Sequence, residues 1–309
     1  MHIGVVLMLS ELTPKVTEVA PMVEERGFES LWVGEHTHLP VATVHSYTKG
    51  RYAGDKAKGG YVPDYYKRFL DPYVTLAMAA ACTRTLRIGT CIALPAEHSP
   101  LILAKEIATL DFLSGGRFEF GLGYGWNPLE MQNNGFEKAD RRQVMREKIA
   151  AMKALWTEPT AGYSGKFVEF TESWSFPKPI QSPHPPILVG AAATPANLAD
   201  IVEWADGWLP VRSFLAEGVG NGIEKLRAAA RSAGRDPDEL SVSIVDPEGS
   251  MGGKRSIEEF TRRMVTPDDL RAYEEQGVYR LVLGVPVSDL DFLQRALDAV
   301  AACRTTAGV

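Results

Sequence analysis

The pattern of the chain predicts an α/β protein built as a (β/α)8 TIM barrel with insertions, and three observations predict it. Short apolar runs rich in β-branched residues alternate with helical patterns along all 309 residues, which is how a parallel sheet with crossover helices reads. The runs number eight, each followed by a helix, and about 250 residues plus insertions is a usual size for that barrel. Residues 86–132 form one clear strand-helix-strand unit, and both of its strands carry their unusual residues at the carboxyl end, where parallel α/β proteins place chemistry.

In order, the predicted strands are 3–7, 30–34, 86–92, 118–122, 186–189, 207–210, 240–245 and 279–283. The predicted helices are 16–26, 72–82, 100–113, 140–156, 195–204, 215–233, 266–276 and 288–305. Thr194-Pro195 and Thr266-Pro267 each set a capping hydroxyl before a first-turn proline, and Asp268 and Asp269 add negative charge to the first turn of the second of these helices. Gly27, Gly234 and Gly277 stand where helices should stop. Three stretches exceed a normal connection: 39–70, 159–185 and 246–265, insertions placed after strands 2, 4 and 7. Loops of that length in a compact fold are usually lids or binding loops. The whole chain reads as one barrel domain.

Composition narrows the function classes. Hydrophobic residues are 45% and charged residues 23%, and 33 basic against 39 acidic side chains give a net charge of -6, so nothing invites nucleic acid. Cys82, Cys91 and Cys303 lack metal-ligand spacing and are odd in number, as expected of a protein in a reducing cytoplasm. The start, Met1-His2 before an apolar run, has no basic leader and suits a buried strand. No apolar run reaches the roughly 18 residues that span a bilayer, so no membrane association is expected.

Four strand ends carry candidate chemistry. The second runs into Glu35-His36-Thr37-His38. Two imidazoles two residues apart can share a metal, but His2, His45, His98 and His184 close no later strand and the ligand set stays incomplete. No metal site is expected. His36 is then either a polar group at the reacting centre, since imidazole titrates near working pH, or a hydrogen-bonded residue of the barrel mouth. The third strand ends Gly89-Thr90-Cys91-Ile92-Ala93-Leu94-Pro95, by itself only a buried strand leading to a turn. The fourth ends Gly121-Leu122-Gly123-Tyr124-Gly125-Trp126-Asn127-Pro128. A dinucleotide fingerprint would have to open a helix at once, and the next predicted helix waits until about residue 140. These glycines suit either a tight turn or a strand end kept small for a planar ring, with the Asn127 amide as a polar partner. The fifth ends Gly190-Ala191-Ala192-Ala193-Thr194 directly before a helix, where converging amides and the helix dipole suit a phosphate, unless the small residues serve packing alone. Aromatic residues collect in the first two insertions, including Tyr65, Tyr66, Phe69, Trp174 and Phe176. They can line a substrate pocket or hold the loops to the barrel or to another subunit.

The segments Thr90-Cys91-Ile92-Ala93-Leu94-Pro95, Ala104-Lys105-Glu106-Ile107-Ala108-Thr109-Leu110-Asp111-Phe112-Leu113-Ser114-Gly115-Gly116-Arg117 and Gly121-Leu122-Gly123-Tyr124-Gly125-Trp126-Asn127-Pro128 resemble the bacterial luciferase-like flavin and deazaflavin oxidoreductases. The resemblance runs from Ile3 to the last helix. It implies a non-prolyl cis peptide at Cys91-Ile92 against one face of the cofactor ring, with Thr90, Gly123, Tyr124 and Asn127 close by. It further implies the cofactor phosphate at Gly190, Ala191, Ala192, Ala193 and Thr194, and His36 as the catalytic group at the ring's reacting edge. Glu35-His36-Thr37-His38, the Tyr-rich insertion and Leu70-Asp71-Pro72-Tyr73 are similar to the F420-dependent subgroup. The implied activity is hydride transfer between coenzyme F420 and a small organic substrate. The alternative is an FMN-dependent two-component monooxygenase, with a separate reductase regenerating the reduced cofactor. A metal-dependent barrel hydrolase and a non-catalytic flavin-binding protein are the readings from other classes. Tyr124 stands where some sugar-phosphate-oxidising relatives have an acidic residue, which speaks against a sugar phosphate. Relatives commonly pair, and the apolar helix face of Leu101, Leu103, Ile107, Leu110 and Leu113 adds to the expectation of a homodimer.

Overall fold

In a computed structural model, residues 1–43, 64–247 and 256–309 are described. Eight strands close into a parallel barrel: β1 (His2–Leu7), β2 (Ser30–Val33), β3 (Arg87–Thr90), β4 (Phe118–Leu122), β7 (Ile187–Val189), β8 (Gly207–Trp208), β9 (Ser241–Asp246) and β10 (Arg280–Gly284). Their order around the barrel is β1, β2, β3, β4, β7, β8, β9, β10 and back to β1. The helices of the outer ring that matter below are α1 (Val16–Glu25), α2 (Pro72–Ala81), α3 (Pro100–Ser114), α4 (Pro128–Asn133), α5 (Arg141–Thr157), α6 (Pro195–Trp204), α7 (Val219–Ser232), α8 (Ile257–Arg263), α9 (Pro267–Glu275) and α10 (Leu290–Ala307). The sequence-predicted alternation therefore describes the barrel. Among the described residues no helix is long and apolar enough to cross a membrane.

Strand burial explains why the runs are continuous rather than alternating: β2, β4 and β10 are buried at every residue, one face against helices and the other inside the barrel. Val6, Trp32, Leu188, Leu209, Val245 and Val282 fill the barrel interior as a separate cluster from the larger core between sheet and helices. At the amino ends of the strands a buried ion cluster takes over. Arg280, fully buried, donates to Glu29 at 2.6 and 2.7 Å and to Glu119 at 2.7 and 2.8 Å. Arg87 donates to the same Glu119 at 2.5 Å. The carboxyl of Glu119, which burial would push up, is held below its ordinary range by Arg280 and Arg87. The amino end is thus closed by charge pairing, and chemistry is left to the other end.

Four features depart from the sequence reading. The second insertion is not an irregular loop: β5 (Ala161–Ser164) and β6 (Glu169–Ser173) pair antiparallel, capped by three amides, those of Lys166, Phe167 and Val168, on the Glu147 carboxylate. These strands are short and mostly exposed, so they lack the apolar run that marks a barrel strand. A helix also occurs well before residue 140: α4 begins directly after Asn127, whose side chain accepts from the Leu129 amide. In the third insertion, α8 is capped by Ser256. Residues 44–63 and 248–255, the centres of the first and third insertions, lie outside the described residues. The α3 face proposed as one apolar surface is divided: Leu103, Ile107 and Leu110 belong to the core, while Leu101 and Leu113 are exposed.

Candidate active site

The carboxyl ends of β2, β3, β4 and β7 come together around two neighbouring features, a His-Glu cluster and a small-residue cradle. In the cluster, His36 Nδ1 lies 2.7 Å from Glu130 Oε1 and its Nε2 accepts from the Trp126 indole N–H at 3.2 Å. Phe69, Trp126 and Tyr66 surround the ring at centroid distances of 5.9, 5.6 and 5.4 Å. The adjoining Glu35 turns the other way, accepting the Leu94 amide at 2.6 Å and meeting His98 Nε2 at 2.5 Å. Burial would lower the His98 pKa, but the hydrogen bond and charge of Glu35 overcome this and raise it. Between the two pairs lies Glu97, whose carboxyl is pushed up to about 8 by burial and by the charges of Glu130 and Glu35. His38 does not join His36. It meets Thr37 Oγ1 and Asn133 Nδ2 instead, and among the described residues no group of three or more His, Cys, Asp and Glu side chains could hold a metal ion.

The cradle follows from the third strand. The peptide Cys91-Ile92 is cis. Thr90 donates its hydroxyl to the Gly121 carbonyl at 2.7 Å, and the chain after the cis bond continues beside β4 through Ala93 N to Gly121 O at 2.8 Å and Gly123 N to Ala93 O at 3.0 Å. Ile92 is directed at two glycines: a Cβ on Gly123 would lie 2.2 Å from Ile92 Cδ1, and one on Gly190 would lie 2.7 Å from Ile92 Cγ2. The small residues at 123 and 190 therefore make room first for Ile92. Desolvation pushes the Cys91 thiol up to about 12, so at neutral pH it is no nucleophile.

The remaining sequence-selected residues fall around this cradle. Tyr124 donates its hydroxyl to Asp200, the carboxylate that also receives Arg142 and Arg146, and the Arg142 guanidinium lies 4.7 Å over the Tyr124 ring. Asn127 is fully buried, its amide donating to Thr43 at 2.9 Å while its carbonyl caps α4. In the loop before α6, the Thr194 hydroxyl accepts the Asn197 amide and Asn197 Nδ2 donates to the Ala192 carbonyl at 2.9 Å. Trp208 Nε1 donates to the Ala191 carbonyl at 2.8 Å. With those carbonyls engaged, the amides of Ala191, Ala192 and Ala193 make no hydrogen bond among the described residues. Ala192 and Ala193 border a cavity of about 220 Å³ that Gly218, Asn221 and Lys225 line from the other side. A larger groove of about 940 Å³ between α6 and α7 contains none of the other strand-end residues.

The profile of the luciferase-like monooxygenase family matches residues 11–245. The chain belongs to that family. An uncharacterized protein of Mycobacterium tuberculosis is 37% identical over 309 residues, covering 98% of this chain and 100% of the relative. In fold, this luciferase-like chain superposes on the monooxygenase RslO1 of Streptomyces bottropensis with a TM-score of 0.76 at 23% identity, each chain covered in full. It superposes on an F420-dependent secondary alcohol dehydrogenase with a TM-score of 0.71 at 18% identity, covering 98% and 97% of the two chains.

Several residues of this luciferase-like site escaped the sequence reading. Trp126 lies just before, and Glu130 in the first turn of, a helix absent from the sequence reading, although Asn127-Pro128 carries the same cap-proline signature as Thr194-Pro195. Glu97 and His98 repeat the Glu-His pair of the second strand end, which is the one local signal for them. Asn221 and Lys225 sit on an ordinary amphipathic helix, and only the approach of α7 to the cradle reveals them.

Proposed function

We propose that this luciferase-like chain is an F420-dependent oxidoreductase that transfers hydride between coenzyme F420 and a small organic substrate. The observation that carries the reading is His36, a proton carrier held at a strand end beside the Ile92 cradle, because moving hydride to or from a carbon next to oxygen requires a partner for the proton. A phenolphthiodiolone dimycocerosates ketoreductase of Mycobacterium tuberculosis, 29% identical over 273 residues and covering 84% of this chain and 64% of that protein, supports carbonyl chemistry over oxygenation.

The residues present fit such a cofactor. The amides of Ala191, Ala192 and Ala193, the start of α6 and Lys225 would hold its phosphate, with Asn221 as a polar neighbour. Ile92, backed by Gly123 and Gly190, would support one face of the ring, and Tyr66, Phe69 and Trp126 would keep water from His36. When bound, F420 supplies the carbon that takes or gives hydride. His36 would take or return the accompanying proton at Nε2. The same reading includes a homodimer, supported by Val74, Met78, Leu101 and Ile102 being exposed on the neighbouring helices α2 and α3, and a reducing cytoplasmic setting, supported by three free cysteines.

An FMN-dependent monooxygenase, served by a separate reductase, is the second reading. It is favoured by a 32% identity over 165 residues to the FMNH(2)-dependent dimethylsulfone monooxygenase of Pseudomonas putida, covering 52% of this chain and 45% of that one. Titration of the purified protein with F420 and with FMN separates the two. Tighter binding of F420 is expected, and equal or reversed affinities move the assignment to the monooxygenases.

A further inference from the structure

His36 and Glu130 are 94 residues apart in sequence yet share a buried contact, with side-chain exposures of 5% and 1%. Both ring nitrogens are engaged, and the chemistry of the partners decides which one holds the proton. An indole N–H can only donate. Nε2, which receives the Trp126 N–H, must therefore offer its lone pair, and the single proton of the neutral ring must lie on Nδ1, directed at Glu130. The other oxygen of Glu130, Oε2, is buried and finds no hydrogen-bond partner among the described residues, so the contact with His36 is the carboxylate's principal compensation for burial.

The groups around the pair leave Glu130 without a competitor for this role. On the strand end itself, Glu35 is committed to His98 and the Leu94 amide, and His38 to Thr37 and Asn133. Tyr66 faces the ring from the turn at 64–68. Glu97 after β3 stays largely protonated through neutral pH, and Lys148 on α5 spends its ammonium on the Ala96 and His98 carbonyls, each at 2.6 Å.

We propose that Glu130 is a positioning residue that locks His36 as the Nδ1–H tautomer, and that Trp126 is a displaceable donor that keeps Nε2 occupied until a substrate hydroxyl or carbonyl oxygen takes its place. The carboxylate then stabilises the imidazolium formed when Nε2 accepts the hydroxyl proton as hydride leaves the adjacent carbon, and the same proton returns to the oxygen in the reverse direction. The second part rests on the hydride-transfer reading; the first does not.

The test uses ¹⁵N spectra of the cofactor-free protein, in which the His36 ring shifts report tautomer and titration midpoint, alongside single-turnover hydride transfer against pH. Wild type should show the Nδ1–H tautomer. Glu130→Gln keeps an acceptor for Nδ1 but removes the charge, and should lower the His36 midpoint by about one pH unit, a tenfold loss of proton affinity, with the pH limb of the rate moving by the same amount. Trp126→Phe, which keeps the aromatic bulk and serves also if the first variant does not fold, should leave the tautomer in place and raise the midpoint. A wild-type ring protonated on Nε2, or a midpoint unmoved by either variant, overturns the proposal. Failure of the wild type to bind F420 or turn over would sink the functional reading alone, because the spectra of the free protein still decide the role of Glu130.

Discussion

The carboxylate of Glu35 crosses from the end of β2 to the turn after β3 and meets His98 Nε2 at 2.5 Å, with Glu35 only 3% exposed. Because this contact raises the His98 pKa above 6.5 against the opposing effect of burial, the ion pair contributes stability that is fully present below about pH 6.5 and is lost as pH rises through the higher folded value. Glu35→Gln should therefore cost more stability at pH 6 than at pH 9, read by denaturant titration at both values. An equal loss at the two would show that His98 is not charged in the folded protein.

Gly123→Ala puts a methyl group 2.2 Å from Ile92 Cδ1. Overpacking of this kind costs typically about 1–3 kcal/mol, and the melting temperature should fall accordingly. Adding Ile92→Val, which removes the clashing Cδ1, should restore part of the loss. No recovery in the double variant would mean that the two side chains do not share the space.

Removing Arg280 takes away the one fully buried guanidinium that Glu119 and Glu29 share and leaves them only the partly exposed Arg87. For Arg280→Met a loss of about 3–5 kcal/mol is expected in urea titration, the usual size when one partner of a buried pair is removed. Cofactor affinity of the folded fraction should not change, since the cluster closes the amino end of the barrel.

Lys225→Ala tests the cradle. Loss of a charged donor should weaken F420 binding by about tenfold or more, and the remaining affinity should depend less on salt. Lys225 also pairs with Glu217 at 2.6 Å, an exposed contact worth little to stability, so thermal melting should barely move. Unchanged affinity would place the phosphate elsewhere.

For His36→Ala, hydride transfer should drop by about 100-fold or more, the size of a lost acid-base group, with F420 affinity nearly intact. If instead the melting temperature falls and the rate per folded molecule stays the same, His36 is a structural residue of the barrel mouth.

Much of this protein was legible along the chain because its barrel repeats a local rule. Apolar runs such as Ile3 to Leu7 and helix signatures such as Thr194-Pro195 are set by neighbours in sequence, so the strand count, the parallel barrel and the strand-end location of His36, Gly123 and Gly190 could be read directly. The resemblance of the third strand end led to the cis peptide at Cys91-Ile92. What stayed hidden depends on distance in sequence. The hairpin of β5 and β6 is held by amides on Glu147 rather than by an apolar face. The partner of His36 comes from residue 130 and that of Glu35 from residue 98, and no periodicity encodes such pairings. Even the meaning of the two strand-end glycines changed, since the space at 123 and 190 is claimed by Ile92. Local sequence determined which elements form, because hydrogen bonding and hydrophobic period act over a few residues. Only closure of the barrel decided which buried charges face one another, because a carboxylate taken out of water is stabilised by whatever partner the fold brings within hydrogen-bond reach.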